Sequence, residues 1–271
     1  MNHLEAFLNA MQADAALAHR PENLRWLAGY TGEGCLFIAK DARVIFTDFR
    51  YVEQAKRESP DWQVVQVSDA RNYPELIRLQ AEAAGAKQIL VETDYLTYDD
   101  YRCLAQALPG RELTPTAGLP ERLRQIKDAD EIAAIRKAAA IASRAFTAIL
   151  PRLHAGMTER QVQRTLEFEM LEQGSEGAAF DTIAAAGANG ALPHATPSDY
   201  VIQNGDLLTL DFGACARRSR HRQEAKRRNG RRRKNRSYDM RCPSHDRTLI
   251  IFAFVNPPPH LGGDDDAVQD S

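Results

Sequence analysis

No run of 18 or more apolar residues occurs in this 271-residue chain, so a membrane-spanning helix is not expected. Met1 to Met11 lack a basic segment followed by an apolar one, so no secretory signal is expected either. Cysteine is scarce. Cys35, Cys103, Cys215 and Cys242 are scattered without a CxxC spacing, which reads as reduced thiols in a cytoplasmic protein. Net charge is also small: the formal value of -2 argues against a polyanionic partner for the chain as a whole. What remains is ordinary for a soluble globular protein, 44% hydrophobic and 27% charged, and long enough for two domains with separate cores.

The charge average hides an asymmetry. Between Ala216 and Arg241 stand 13 Lys/Arg against two acids, Glu224 and Asp239, so the rest of the chain is acidic. A block this basic reads as a tail, a nucleic-acid patch or a segment that does not fold.

Upstream of that block the pattern is regular. Residues 4–19 read as a helix on the spacing of Leu4, Phe7, Leu8, Met11, Ala15 and Ala16, ended by Pro21-Glu22-Asn23. Leu36–Ala39 and Val44–Thr47 read as strands, joined by Lys40–Arg43 into a hairpin. Further helices are expected over Tyr51–Glu58, Pro74–Ala84 and Tyr98–Leu108, and strands over Val64–Val67 and Gln88–Glu92. Such alternation indicates an α/β domain over residues 1–120.

A second region opens at Leu119-Pro120-Glu121. Asp128–Leu150 reads as a long alanine-rich helix with Asp128 as N-cap and Glu131 at the capping-box spacing. Thr158–Gln173 repeats the device with Thr158 and Gln161. Ala179–Ala185 and Asp206–Phe212 carry strand signals, the latter after the turn dipeptide Asn204-Gly205. Beyond Ala214 the periodicities stop, and Leu249–Val255 is the only later strand-like run. Residues from about 215 onward are therefore expected to be largely disordered, leaving strand 206–212 with an unpaired edge and poor solubility.

Three stretches, in order, carry a resemblance. Pro21–Tyr30 with Thr47–Ala55 resembles the N-terminal domain of the creatinase, prolidase and aminopeptidase P group. Arg122–Lys127 leading into Glu131-Ile132 and Ile135–Ala138 resembles the linker and first helix of that group's pita-bread catalytic domain. Phe180-Asp181-Thr182-Ile183, Leu192-Pro193-His194-Ala195 and Leu210-Asp211-Phe212-Gly213-Ala214 complete the series. The fold it implies is α/β: a creatinase-type N-terminal domain over 1–120, an incomplete pita-bread α+β domain over 121–214, and a disordered basic tail over 215–271.

The activity it implies is that of an Xaa-Pro peptidase, removing the residue before proline or splitting an Xaa-Pro dipeptide. Members hold two divalent ions, often manganese, with cobalt or zinc as alternatives, on two aspartates, a histidine and two glutamates. Asp211 matches the first aspartate. His194 matches a histidine that contacts the peptide substrate and supports the tetrahedral intermediate without binding metal. The residue types suit the chemistry: hard ions prefer carboxylate oxygens, paired ions acidify a water, and an imidazole can donate to an oxyanion. A proline amide offers no N–H, so recognition needs a ring-shaped pocket.

The chain then departs from the pattern. The second aspartate of the group lies eleven positions after the first, where this sequence has Arg222. Asp239, His245, Asp246 and Asp264–Asp266 are candidate substitutes only across a very long bulge. Arginine and proline enrichment is what a GC-rich gene yields out of frame, so the expected reading is a shifted frame and an inactive form. A divergent tail and nucleic-acid binding stay open, the latter disfavoured because no aromatic interrupts the basic run before Tyr238. A non-catalytic role of the N-terminal domain as a homodimer-forming interaction module is the other alternative.

Overall fold

The computed structural model describes residues 2–216 and the strand Leu249–Phe254. It forms two units, Met1–Lys127 and the part beginning at Asp128.

In the first unit, strands β1 (Ala15–Ala18), β2 (Cys35–Ala39), β3 (Ala42–Thr47), β4 (Gln63–Gln66), β5 (Gln88–Val91) and β6 (Glu112–Pro115) make one sheet in the order β4-β3-β2-β1-β5-β6. The hairpin β2–β3 and its neighbour β1 pair antiparallel, while β4, β5 and β6 join in parallel. Both faces are covered. Ala15, Leu17, Phe37, Val44 and Phe46 pack with Leu76, Ile77 and Leu104 from helices α4 (Tyr73–Ala83) and α5 (Tyr98–Ala107). Ala16, Ala18, Leu36, Ile38 and Ile45 face Phe7, Trp26 and Ala55 from α1 (His3–Ala10), α2 (Pro21–Ala28) and α3 (Val52–Glu58). A sheet buried on both sides needs strands apolar at consecutive positions, which is why β1 and β2 carry no polar residue. The short helix α6 (Leu119–Arg124) closes this unit, with Leu119 and Leu123 against the second core.

Two expectations fail at the start of the chain. Ala15 and Ala16 belong to β1, not to the first helix, which ends at Ala10. A four-residue apolar run fits helix and strand alike, and pairing on both edges with β2 and β5 decides the matter. Pro21 starts a helix instead of ending one. It occupies the first turn of α2, where its missing N–H costs nothing, and Gly29 at φ 73° terminates that helix.

In the second unit, α7 (Ala129–Ile149) and α8 (Glu159–Glu172) pack on a sheet of order β7-β8-β9. Both expected capping boxes are present, Asp128 with Glu131 and Thr158 with Gln161. Strand β7 (Ile183–Ala186) pairs antiparallel with β8 (Leu207–Phe212), and β8 pairs antiparallel with β9 (Leu249–Phe254). The expected unpaired edge of β8 is therefore corrected: the strand-like run at 249–254 supplies its second partner. The remaining residues of the expected tail lie outside those described. Leu208, Leu210 and Phe212 alternate into the core with Ile141, Ala145, Ile149, Val162, Leu166 and Met170. Alternation turns Thr209 and Asp211 to the opposite face. Cys35 and Cys103 are free thiols, and Cys242 lies outside the described residues.

Candidate functional site

Asp211 is half-buried near the end of β8, on the face away from α7 and α8. Its register partners are Ile183 on β7 and Ile250 on β9. Isoleucine offers no ligand atom at either position. Gly213, two residues on, lets a second segment close over the strand. A Cβ there would sit 2.8 Å from the Phe180 ring and 3.3 Å from the Ala179 side chain. Ala179 N–H donates to the Gly213 carbonyl at 2.9 Å, and Cys215 N–H to Gly177 at 3.0 Å. The Phe180-Asp181-Thr182-Ile183 stretch is thus laid beside Leu210–Ala214. Within it Asp181 is exposed and Thr182 is buried.

His194 is exposed, on a turn within the connection from β7 to β8. That connection leaves β7 through Gly187 at φ 54°, where a Cβ would fall 2.9 Å from the Tyr200 hydroxyl. A 3-10 turn follows at Asn189–Ala191. Ala195 and Pro197 turn inward, so the segment is pinned immediately after the exposed imidazole.

The pin itself is a residue that sequence reasoning missed. Glu159, in the first turn of α8, is completely buried. Its carboxylate accepts from Ala186 N–H at 2.7 Å, Asn189 Nδ2 at 2.8 Å, Ser198 N–H at 2.8 Å and Ser198 Oγ at 2.6 Å. Burial pushes its pKa up. The donors from Ser198, Ala186 and Asn189 together outweigh burial and hold it below the usual glutamate value. The N-terminal end of α8 adds a favourable dipole for an anion. Thr158-Glu159 reads in the sequence as an ordinary capped helix start, and only total burial of a charged residue reveals more.

This shift fixes a pH dependence. A depressed carboxylate contributes stability that is present above its unfolded pKa, about 4.3, and is lost as pH falls through the lower folded value. Tyr200, whose hydroxyl donates to Asp206 at 2.9 Å, and the Arg160–Asp199 pair at 3.5 Å also lie around this turn. Protection of the backbone amides of residues 187–198, relative to the intrinsic exchange rate at each pH, is therefore expected to fall on acidification below about pH 4 before that of α7 does. Unchanged protection of 187–198 through that range contradicts the assignment.

Comparison with known proteins bears on both units. Residues 1–126 match the Creatinase/Prolidase N-terminal domain, and residues 133–220 match Metallopeptidase family M24. The uncharacterized peptidase YqhT of Bacillus subtilis is 36% identical over 218 residues, covering 79% of this chain and 60% of that protein. Among solved structures, an Xaa-Pro dipeptidase from Bacillus anthracis superposes with TM-score 0.72 at 38% identity, covering 78% of this chain and 59% of the other. An X-Pro aminopeptidase from Thermotoga maritima gives TM-score 0.71 at 31% identity, covering 78% and 61%. The chain thus spans about 60% of the length of the relatives it matches.

Proposed function

This chain belongs to the creatinase/prolidase group of M24 metallopeptidases, and we propose that the reaction of its lineage is hydrolysis of the peptide bond preceding proline. Relatives named as a dipeptidase and as an aminopeptidase support a peptide substrate of Xaa-Pro type. His194 is the group that meets the substrate. Its exposed position on a pinned turn suits an imidazole that donates to the oxyanion forming on the scissile carbonyl. Asp211 takes the first metal-ligand position.

Divalent ions, with manganese the first choice, supply an activated water in this chemistry. The described residues do not fit a pair of such ions. Among the described residues, no group of three or more potential ligand side chains includes Asp211. Its two register partners are isoleucines, and Arg222 stands at the expected second aspartate. A guanidinium at that position repels cations, where the group's pattern calls for a second carboxylate.

The chain as it stands is therefore assigned as a peptidase scaffold that keeps a substrate-side loop without a working metal pair. Arg222 in place of the second aspartate is the observation that carries this reading. Incubation of the purified chain with manganese and glycyl-proline is expected to release proline no faster than an Asp211→Ala control. Turnover far above that control overturns the reading.

A further inference from the structure

We infer that Glu159 is the positioning residue for the loop that bears His194, acting as a single buried anchor that fixes both ends of residues 187–198. The inference rests on the reading of His194 as the substrate-facing group.

The geometry is specific. One carboxylate oxygen accepts from Ala186 N–H, at the last residue of β7. The other accepts from the Asn189 amide and from both the backbone and hydroxyl of Ser198. Residues that leave the sheet and residues that return to α8 thus converge on one side chain. The only regular structure inside the loop is the short turn at Asn189–Ala191. Without an anchor its conformational entropy would spread His194 over many positions.

Glu159 is not needed for what its place in α8 suggests. The helix N-terminus is already capped by Thr158 and Gln161. The N–H groups of Glu159 and Arg160 donate to the carbonyls of Tyr200 and Ser198. No hydrogen bond from the Glu159 carboxylate goes to the helix. All four are received from the loop and its two ends, which is the pattern of a clamp. Its burial is also costly for a charged group, and those donors offset the cost.

A glutamine at this position has nearly the same shape but replaces one acceptor oxygen with a donor amide. That amide would face N–H and O–H groups that already donate, so Glu159→Gln removes contacts without opening a cavity. Hydrogen exchange on the full chain at neutral pH is the first readout. Glu159→Gln is expected to speed exchange of residues 187–198 at least about tenfold, equal to about 1.4 kcal/mol, while α7 and β8 keep their protection. The second readout is the His194 side-chain resonance with glycyl-proline as probe. The wild-type resonance is expected to move on addition of the dipeptide, and that of Glu159→Gln to stay in place.

Unchanged exchange of 187–198 in the glutamine variant overturns the inference. So does an increase spread evenly over α7, α8, β7 and β8, which would make Glu159 a general core residue. If the dipeptide leaves His194 unmoved in the wild type, the substrate reading fails. The exchange pattern then still decides whether Glu159 holds the loop.

Discussion

Gly34→Ala is expected to destabilise the first unit by roughly 3 kcal/mol or more, enough to leave a marginal domain largely unfolded. Gly34 lies immediately before β2 at φ 145°, in a region that side chains with a Cβ rarely adopt. An added Cβ would stand 2.1 Å from the carbonyl oxygen of Phe46 and 3.3 Å from the Thr47 side chain. Neither contact can relax by swinging a flexible side chain, because the first is backbone of the paired strand β3. The turn that brings the chain in is itself fixed. Tyr30, fully buried, donates its hydroxyl to the Glu33 carbonyl at 2.7 Å, and Thr47 Oγ1 donates to the same carbonyl at 2.7 Å. Strain at Gly34 therefore passes into the centre of the sheet. Urea unfolding followed by the fluorescence of Trp26 and Trp62 measures it, and a loss below 1 kcal/mol contradicts the strand register.

Phe212→Ala is expected to cost the second unit about 3–5 kcal/mol. Phe212 has no exposed surface, and its ring stacks beside Phe146 of α7 with centroids 6.1 Å apart. It joins β8 to the helical layer one residue after Asp211. Truncation removes that contact and leaves a cavity between sheet and helix, because the surrounding Ile149, Leu166 and Leu210 are set by their own packing. The pinned loop depends on the same sheet through Ala186. Thermal unfolding of the wild type and variant, read by circular dichroism, is the measurement. A change in the transition of the second unit of less than about 1 kcal/mol would place Phe212 outside its core.

Much of this arrangement is legible in the sequence, and the reasons are local. The β2–β3 hairpin is visible because two apolar runs flank Lys40–Arg43, and the register confirms the turn at Lys40-Asp41. Asp128 and Thr158 announce helix starts because capping is a contact over three residues. What stays hidden depends on distant partners. Strand β1 resembles a helix end until β2 and β5 bracket it. The pairing of Leu249–Phe254 with β8 joins segments 37 or more residues apart, a separation that local patterns do not report. Glu159 belongs to the same class, since three of its donors come from residues 30 or more positions away, Asn189 and the two groups of Ser198. His194 and Asp211 stand out in the sequence only through the family resemblance, since periodicity alone reads them as a loop histidine and a strand-end acid.

Elemental analysis of the purified full chain, after equilibration with manganese and removal of excess ion, tests the proposal that this chain holds no metal pair most directly. Substoichiometric manganese, unchanged in Asp211→Ala, is the expected result. Two ions per chain that are lost together when Asp211 is replaced would contradict it, because ligands beyond the described residues would then complete the pair.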